Sequence, residues 1–290
     1  MAQALMENYT LLGDYKALLG ESPVWDADRK LFRYLDIDLK KEISVDLKSG
    51  ETTVSDIPDK AGSMALTENG SVVYAMVDGI YSEDFSLIVK RESTSGVRFN
   101  DGKPAPDGRY FVGTIEKGGA GKLYCLQKGE LKTVLEGVRI SNGLDWSPDL
   151  KVMYYCDTAT RKIVAFDYPE MGNCRKVIDF SEIDGFIGNP DGLCIDIEGF
   201  LWIAVWGGGC VVRVNPEKGE VVNKIDLPAT KISCPAFVGE NLDVLAVTSS
   251  SENAENEPLS GRCFALNVGV SGRAPFKISN QNLGLKIGFI

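Results

Sequence analysis

Four oxygen-bearing side chains head short apolar runs far apart in the chain. Glu21 precedes Ser-Pro-Val-Trp and Asn100 precedes Asp-Gly-Lys-Pro. Asn142 precedes Gly-Leu-Asp-Trp and Asp191 precedes Gly-Leu-Cys-Ile. Two carboxylates and two amides suit a hard divalent cation, because Ca2+, Mg2+ and Mn2+ accept carboxylate, amide and water oxygens. The amides add donors without adding charge, which limits repulsion in a narrow space. Water in the open positions of such a site would be polarised. The chain contains no histidine. That removes Ser-His-Asp and Cys-His catalysis and the commonest zinc ligand. Carboxylates, Lys, Tyr, Cys or metal-bound water are left for acid–base chemistry. Taken singly, Asp and Asn at such places are turn and capping residues. Their shared register is what points to a site.

That register comes from a repeat. Glu21 to Asp36 and Asn142 to Asp157 both carry Trp at the fifth place, an acid at the eighth and Asp at the sixteenth. Further copies start at Asn100 and Asp191, and weaker ones near Ala61 and Ser233. Six units of roughly 40–50 residues are the spacing of propeller blades. Each start is followed by short, often alternating apolar runs with Gly, Asp, Asn and Pro between them, enough for four strands per unit. No stretch shows sustained helical periodicity with caps. The expectation is an all-β, six-bladed β-propeller forming one domain over residues 1–290, with Met1–Asn8 as a frayed lead-in. Tyr9–Leu19 is expected to pair with the last blade and fasten the ring, which removes the exposed sheet edge. The first strand of each blade lines the central channel. Glu21, Ala61, Asn100, Asn142, Asp191 and Ser233 are therefore expected to meet at one mouth, with a metal site in the channel. Asp28, Asp107, Asp149 and Glu198 share a register too, but their turn setting marks them as structural.

Composition narrows the partners. The formal charge is −10, which argues against nucleic acid and anionic membranes. Seven cysteines, an odd number without a CxxC pair, lie mostly in apolar runs. They read as buried reduced thiols of a cytoplasmic protein. The N-terminus lacks the basic and apolar regions of a signal peptide, and no apolar run reaches membrane-span length.

The chain resembles the SMP-30/gluconolactonase/luciferin-regenerating-enzyme family, in which regucalcin-like proteins fall. The matching words are Gly20-Glu21-Ser22-Pro23-Val24-Trp25, Arg98-Phe99-Asn100-Asp101-Gly102-Lys103, Ile140-Ser141-Asn142-Gly143-Leu144-Asp145-Trp146 and Pro190-Asp191-Gly192. The resemblance implies one catalytic divalent cation (Ca2+, Zn2+, Mn2+ or Mg2+) held by Glu21, Asn142 and Asp191. It implies Asn100 as a further ligand or a substrate contact, and Arg98 as a substrate-contacting arginine. The implied reaction is hydrolysis of sugar lactones, with the metal polarising the carbonyl and Asp191 assisting attack by water. Relatives carry a longer acid-containing lid after the Gly113-Thr114 equivalent. Here Ile115–Gly121 is short and glycine-rich, and Glu116 is the candidate to replace the lid acid as a substrate contact. Two other readings stand beside this one. The same metal could serve an organophosphate or fluorophosphate hydrolase, or the propeller could be a non-enzymatic calcium-binding or interaction platform. No EF-hand loop is present.

Overall fold

The computed structural model describes residues 9–92, 96–116 and 118–284. Six four-stranded antiparallel sheets follow one another along the chain as the blades of a propeller. The inner strands are Gly20–Asp26, Ala61–Leu66, Arg98–Pro104, Ser141–Trp146, Asn189–Ile195 and Ile232–Val238. Blades 1 to 5 are simple meanders. In blade 6 the outermost strand is Thr10–Leu12, paired with Cys263–Asn267, so the chain's two ends close the ring as the sequence leads one to expect. Among the described residues the helical content is two three-residue 3-10 turns, Thr158–Thr160 and Phe180–Glu182. The lead-in Met1–Asn8 lies outside the described residues.

Burial follows strand position. Ala61–Leu66 and Ser141–Trp146 are buried at every residue, because neighbouring blades cover both faces. The outermost strands Thr52–Asp56 and Glu220–Asp226 are largely exposed. Apolar clusters fill the spaces between blades. Trp146, for example, sits edge-on to Phe111 and Tyr168, each 5.8 Å away between ring centres. Six cysteines are buried, Cys174 is exposed, and all seven are free.

Two local features position the channel residues. The first pair of strands in every blade shifts register near the head of the inner strand. Such a bulge re-aims side chains and twists the strand. Close approach between inner strands also demands small residues: a Cβ on Gly143 would stand 2.3 Å from the Leu193 nitrogen.

After Cys263–Asn267 the chain crosses the end of the channel where the inner strands finish. Gly272 N donates to Leu242 O (2.8 Å), Ile197 N to Ser271 O (3.0 Å), Ile278 N to Leu66 O (2.8 Å) and Ser279 N to Gly108 O (3.0 Å). This tail thus ties blades 6, 5, 2 and 3 together and floors the channel. It has no counterpart in the repeat, and the sequence reading did not foresee it.

Candidate metal centre

The ladders define which residues share a level. In blade 1 the pairs Gly20↔Asp36 and Trp25↔Phe32 match Ser141↔Asp157 and Trp146↔Met153 of blade 4, so Glu21 and Asn142 stand at one height. Blades 5, 2 and 6 close their first hairpins with Ile195↔Leu201, Leu66↔Val72 and Val238↔Val244, turns of equal length. Counting back from these turns puts Gly62 and Cys234, not Ala61 and Ser233, level with Asp191. The ring is therefore Glu21, Gly62, Asn100, Asn142, Asp191 and Cys234. Gly62 can carry no donor, since a Cβ there would lie 2.1 Å from Phe99 O. Oxygen donors come from blades 1, 3, 4 and 5.

All four of those oxygen-bearing residues are buried. Asn142 Nδ2 donates to the Thr158 hydroxyl at 3.0 Å and also contacts Asp191 Oδ1. Its Oδ1 is buried with no hydrogen-bond partner. Glu21 accepts from its neighbour Ser22 N at 3.1 Å. Arg98 Nη1 donates to Phe99 O (2.8 Å) and to Asn100 Oδ1 (2.7 Å), while Asn100 Nδ2 donates to Ser141 O (2.8 Å). Both ends of the Asn100 amide are thus engaged, and it links Arg98 to blade 4. Asp101, next along blade 3, accepts from Gly102 N at 2.7 Å, but its second oxygen is buried and unpaired.

The charges do not balance. Burial, then the charge of Asp101, pushes the Glu21 carboxyl up to about 8. Burial raises Asp101 to about 6, and burial plus the charges of Glu21 and Asp101 carry Asp191 well above the carboxylate range. Arg98 is the cation that opposes this trend at Glu21 and Asp191. The crowded Glu21 and Asp191 carboxyls and the unpaired Asn142 oxygen form a place that a cation would complete, while Asp101, whose second oxygen is also unpaired, is opposed by Lys103. The donor set is mixed: among the described residues no three His, Cys, Asp or Glu side chains form a metal cage by themselves. Amide oxygens are needed, as they are at hard-cation sites.

Glu116 stands apart from this group. Its carboxylate accepts from Gly118 N at 3.0 Å and is also bound to Ala120 N, so it braces its own loop. Lys117, in the same shortened segment, lies outside the described residues. The turn acids behave as turn acids: Asp149 accepts from Ser147 Oγ (2.6 Å) and Lys151 N (3.2 Å), and Asp107 from Arg109 N (3.2 Å).

Further along the inner strands lies a second polar group that sequence reasoning missed. Asp145 accepts from Arg273 Nη2 (2.6 Å), Lys103 Nζ (3.2 Å), Trp146 N (2.8 Å) and Ile195 N (3.2 Å). Lys103 also donates to Leu193 O at 2.9 Å. Asp145, Lys103, Ile195 and Arg273 line a cavity with Asp101, Cys194 and Cys234. Thr158 was missed as well. A signal for it existed: the Asp at the sixteenth place of the repeat is a blade-corner clamp. Asp36 accepts from Leu18 N (2.8 Å) and Leu19 N (3.2 Å), and Asp157 from Arg139 N (3.1 Å) and Ile140 N (3.0 Å). Thr158 follows that clamp directly.

Comparison with known proteins matches residues 19–251 to the family model described as SMP-30/gluconolactonase/LRE-like region. Regucalcin of Gallus gallus is 32% identical over 290 residues, covering 91% of this chain and 96% of that protein. YvrE of Bacillus subtilis (strain 168), whose name proposes a sugar lactone lactonase, is 32% identical with the same coverages, 91% and 96%. The crystal structure of a calcium-binding protein, regucalcin, from Agrobacterium tumefaciens str. C58 superposes with a TM-score of 0.86. It is 28% identical over 92% of this chain and 96% of that one.

Proposed function

This chain belongs to the SMP-30/gluconolactonase/LRE-like family, and on that premise we propose that it is a divalent-metal-dependent lactonase acting on sugar lactones. Glu21, Asn142 and Asp191 would hold the cation, with Asn100 or Asp101 completing the set. When bound, the cation would supply Lewis-acid polarisation of the ester carbonyl and a lowered pKa for water. The protein's own groups do the rest. Arg98, with a planar fork of donors, binds and orients lactone oxygens. Asp191 takes the proton of the attacking water and returns it to the ring oxygen as the acyl–oxygen bond breaks, giving the open hydroxy acid. Ile115–Gly121 is short, so the mouth admits the sugar ring without a long lid over it.

The observation that carries this reading is the buried, unpaired Oδ1 of Asn142, the amide whose Nδ2 contacts the Asp191 carboxyl. A buried oxygen without a partner costs about 1–3 kcal/mol. A cation offsets that cost and the repulsion among the three acids together. The name of YvrE supports the substrate class, and the calcium-binding description of the Agrobacterium tumefaciens regucalcin supports a divalent cation. The deciding experiment measures catalytic efficiency on a panel of aldonolactones and phosphotriesters, before and after EDTA, with single cations added back. Lactone hydrolysis lost to EDTA and restored by a cation is the expected result. A preference for phosphotriesters, or lactone hydrolysis indifferent to EDTA, overturns the reading.

A further inference from the structure

Thr158 lies at the upper corner of blade 4, just after the Asp157 clamp, and it makes two hydrogen bonds of fixed sense. Its hydroxyl donates to Pro190 O at 2.8 Å, a carbonyl that can only accept. Having spent its one proton there, Oγ1 can only accept from Asn142, and Nδ2 is the atom 3.0 Å away. This chain of donors therefore fixes which end of the Asn142 amide is which. The nitrogen faces Thr158 and Asp191, and Oδ1 is left buried and unpaired. A flipped amide would turn its oxygen toward the Asp191 carboxylate and leave a buried N–H2 without a partner. The Thr158 hydroxyl also spans two blades, since Asn142 belongs to blade 4 and Pro190 immediately precedes Asp191 in blade 5.

We propose that Thr158 is a positioning residue of the metal centre. Through its hydroxyl it orients the Asn142 amide so that oxygen rather than nitrogen is offered to the cation, and it sets the spacing between the donors of blades 4 and 5. The inference rests on the metal-centre reading above and goes beyond it by naming a residue that touches neither cation nor substrate. Groups that orient a ligand in this way typically govern about 10- to 100-fold in metal affinity.

The test is cation binding without turnover. Metal-free protein is titrated with Mn2+, free ion being read by electron paramagnetic resonance, and with Ca2+ by calorimetry. Thr158→Val, which keeps the shape and removes both hydrogen bonds, is expected to weaken binding about 10- to 100-fold. Thr158→Ser is expected to bind within about threefold of the unmodified protein, because the hydroxyl is retained. Thr160→Val is the control: it removes the 2.8 Å bond from Thr160 Oγ1 to Asp157 O in the same turn without touching Asn142, and affinity should hold. If Thr158→Val does not fold, Thr158→Ala takes its place. Unchanged affinity in the Val or Ala variant overturns the inference, as does equal weakening in Thr158→Ser or Thr160→Val. Should the unmodified protein bind neither ion, the metal-centre reading itself fails, a result that no Thr158 variant can imitate.

Discussion

The channel holds two buried clusters of charge, one at each end, and they are built on opposite rules. At the end where the inner strands finish, Asp145 receives two cationic side chains and two backbone N–H groups. Toward the end where they begin, the charge of Asp101 raises Glu21, and the charges of Glu21 and Asp101 raise Asp191; Arg98 opposes the rise at Glu21 and Asp191, Lys103 opposes it at Asp101, and Asn142 Oδ1 and Asp101 Oδ2 have no partner. A buried acid that is fully paired is a structural lock. Acids left short of positive charge in a folded chain mark a place that a ligand completes. The difference between the two ends is therefore one of satisfaction rather than of residue type.

The largest expected effect comes from the unsatisfied end. Asp191→Ala should lower kcat/KM on sugar lactones by roughly 10^3-fold or more, comparable with removal of a principal electrostatic group from an active site. Circular dichroism should be unchanged, because Asn142 Nδ2, which loses the Asp191 contact, keeps its bond to Thr158. An Asp191→Ala protein that hydrolyses lactones at the original rate would show that the crowded end is not the reactive one.

Next comes stability, where the two ends should respond with opposite sign. Asp145→Ala strands Lys103 and Arg273 and should cost about 3 kcal/mol in urea unfolding, the scale for breaking a buried ion pair from one side. Asp191→Asn, measured in EDTA, should raise stability, since it removes one of three mutually repelling carboxyls. A loss of stability in both variants would erase the distinction between a lock and a waiting site.

How far the sequence reveals this contrast depends on where each residue comes from. The blades were legible because alternating apolar runs and turn residues recur with one period. So were Glu21, Asn100, Asn142 and Asp191, which head the strongest copies. At the two weakest copies the ring level falls on Gly62 and Cys234, one residue after Ala61 and Ser233. Their copies are weak, and the ladder is set from the hairpin turn through a bulge, whereas the sequence was counted from the strand's head. The lower cluster was not legible. Arg273 meets Asp145 across 128 residues from a tail outside the repeat, and no periodicity announces such a contact. Thr158 carries no ligand chemistry of its own, so it emerges only from its hydrogen bonds.

Acidity offers a third test. With its cation removed, the upper cluster keeps protons that an unfolded chain has already released. For Glu21 that window runs from the ordinary 4.5 up to about 8. A carboxyl whose pKa is raised by folding makes stability fall as pH rises through the window, because the native state binds more protons there. In EDTA the Tm should therefore decline from about pH 4.5 toward pH 8. Saturating divalent cation should flatten that decline, since the cation replaces the protons. A Tm that rises over this window in EDTA would mean that the acids are matched after all, and that the two ends do not differ.

The smallest effect is the most exacting, because Glu116 sits at the mouth yet is satisfied as Asp145 is. Both of its oxygens are held by loop N–H groups, those of Gly118 and Ala120. If satisfaction separates structural acids from functional ones, Glu116→Gln should change KM and kcat/KM by no more than about threefold, the worth of one weakened solvent-exposed hydrogen bond. Cation affinity should not move at all. The opposite result would carry more information. A hundredfold rise in KM, with kcat and cation affinity preserved, would mean that the carboxylate leaves its loop to meet the lactone. Glu116 would then be the acid of a short lid, and pairing within the unliganded chain would no longer serve to sort the acids of this channel into locks and sites.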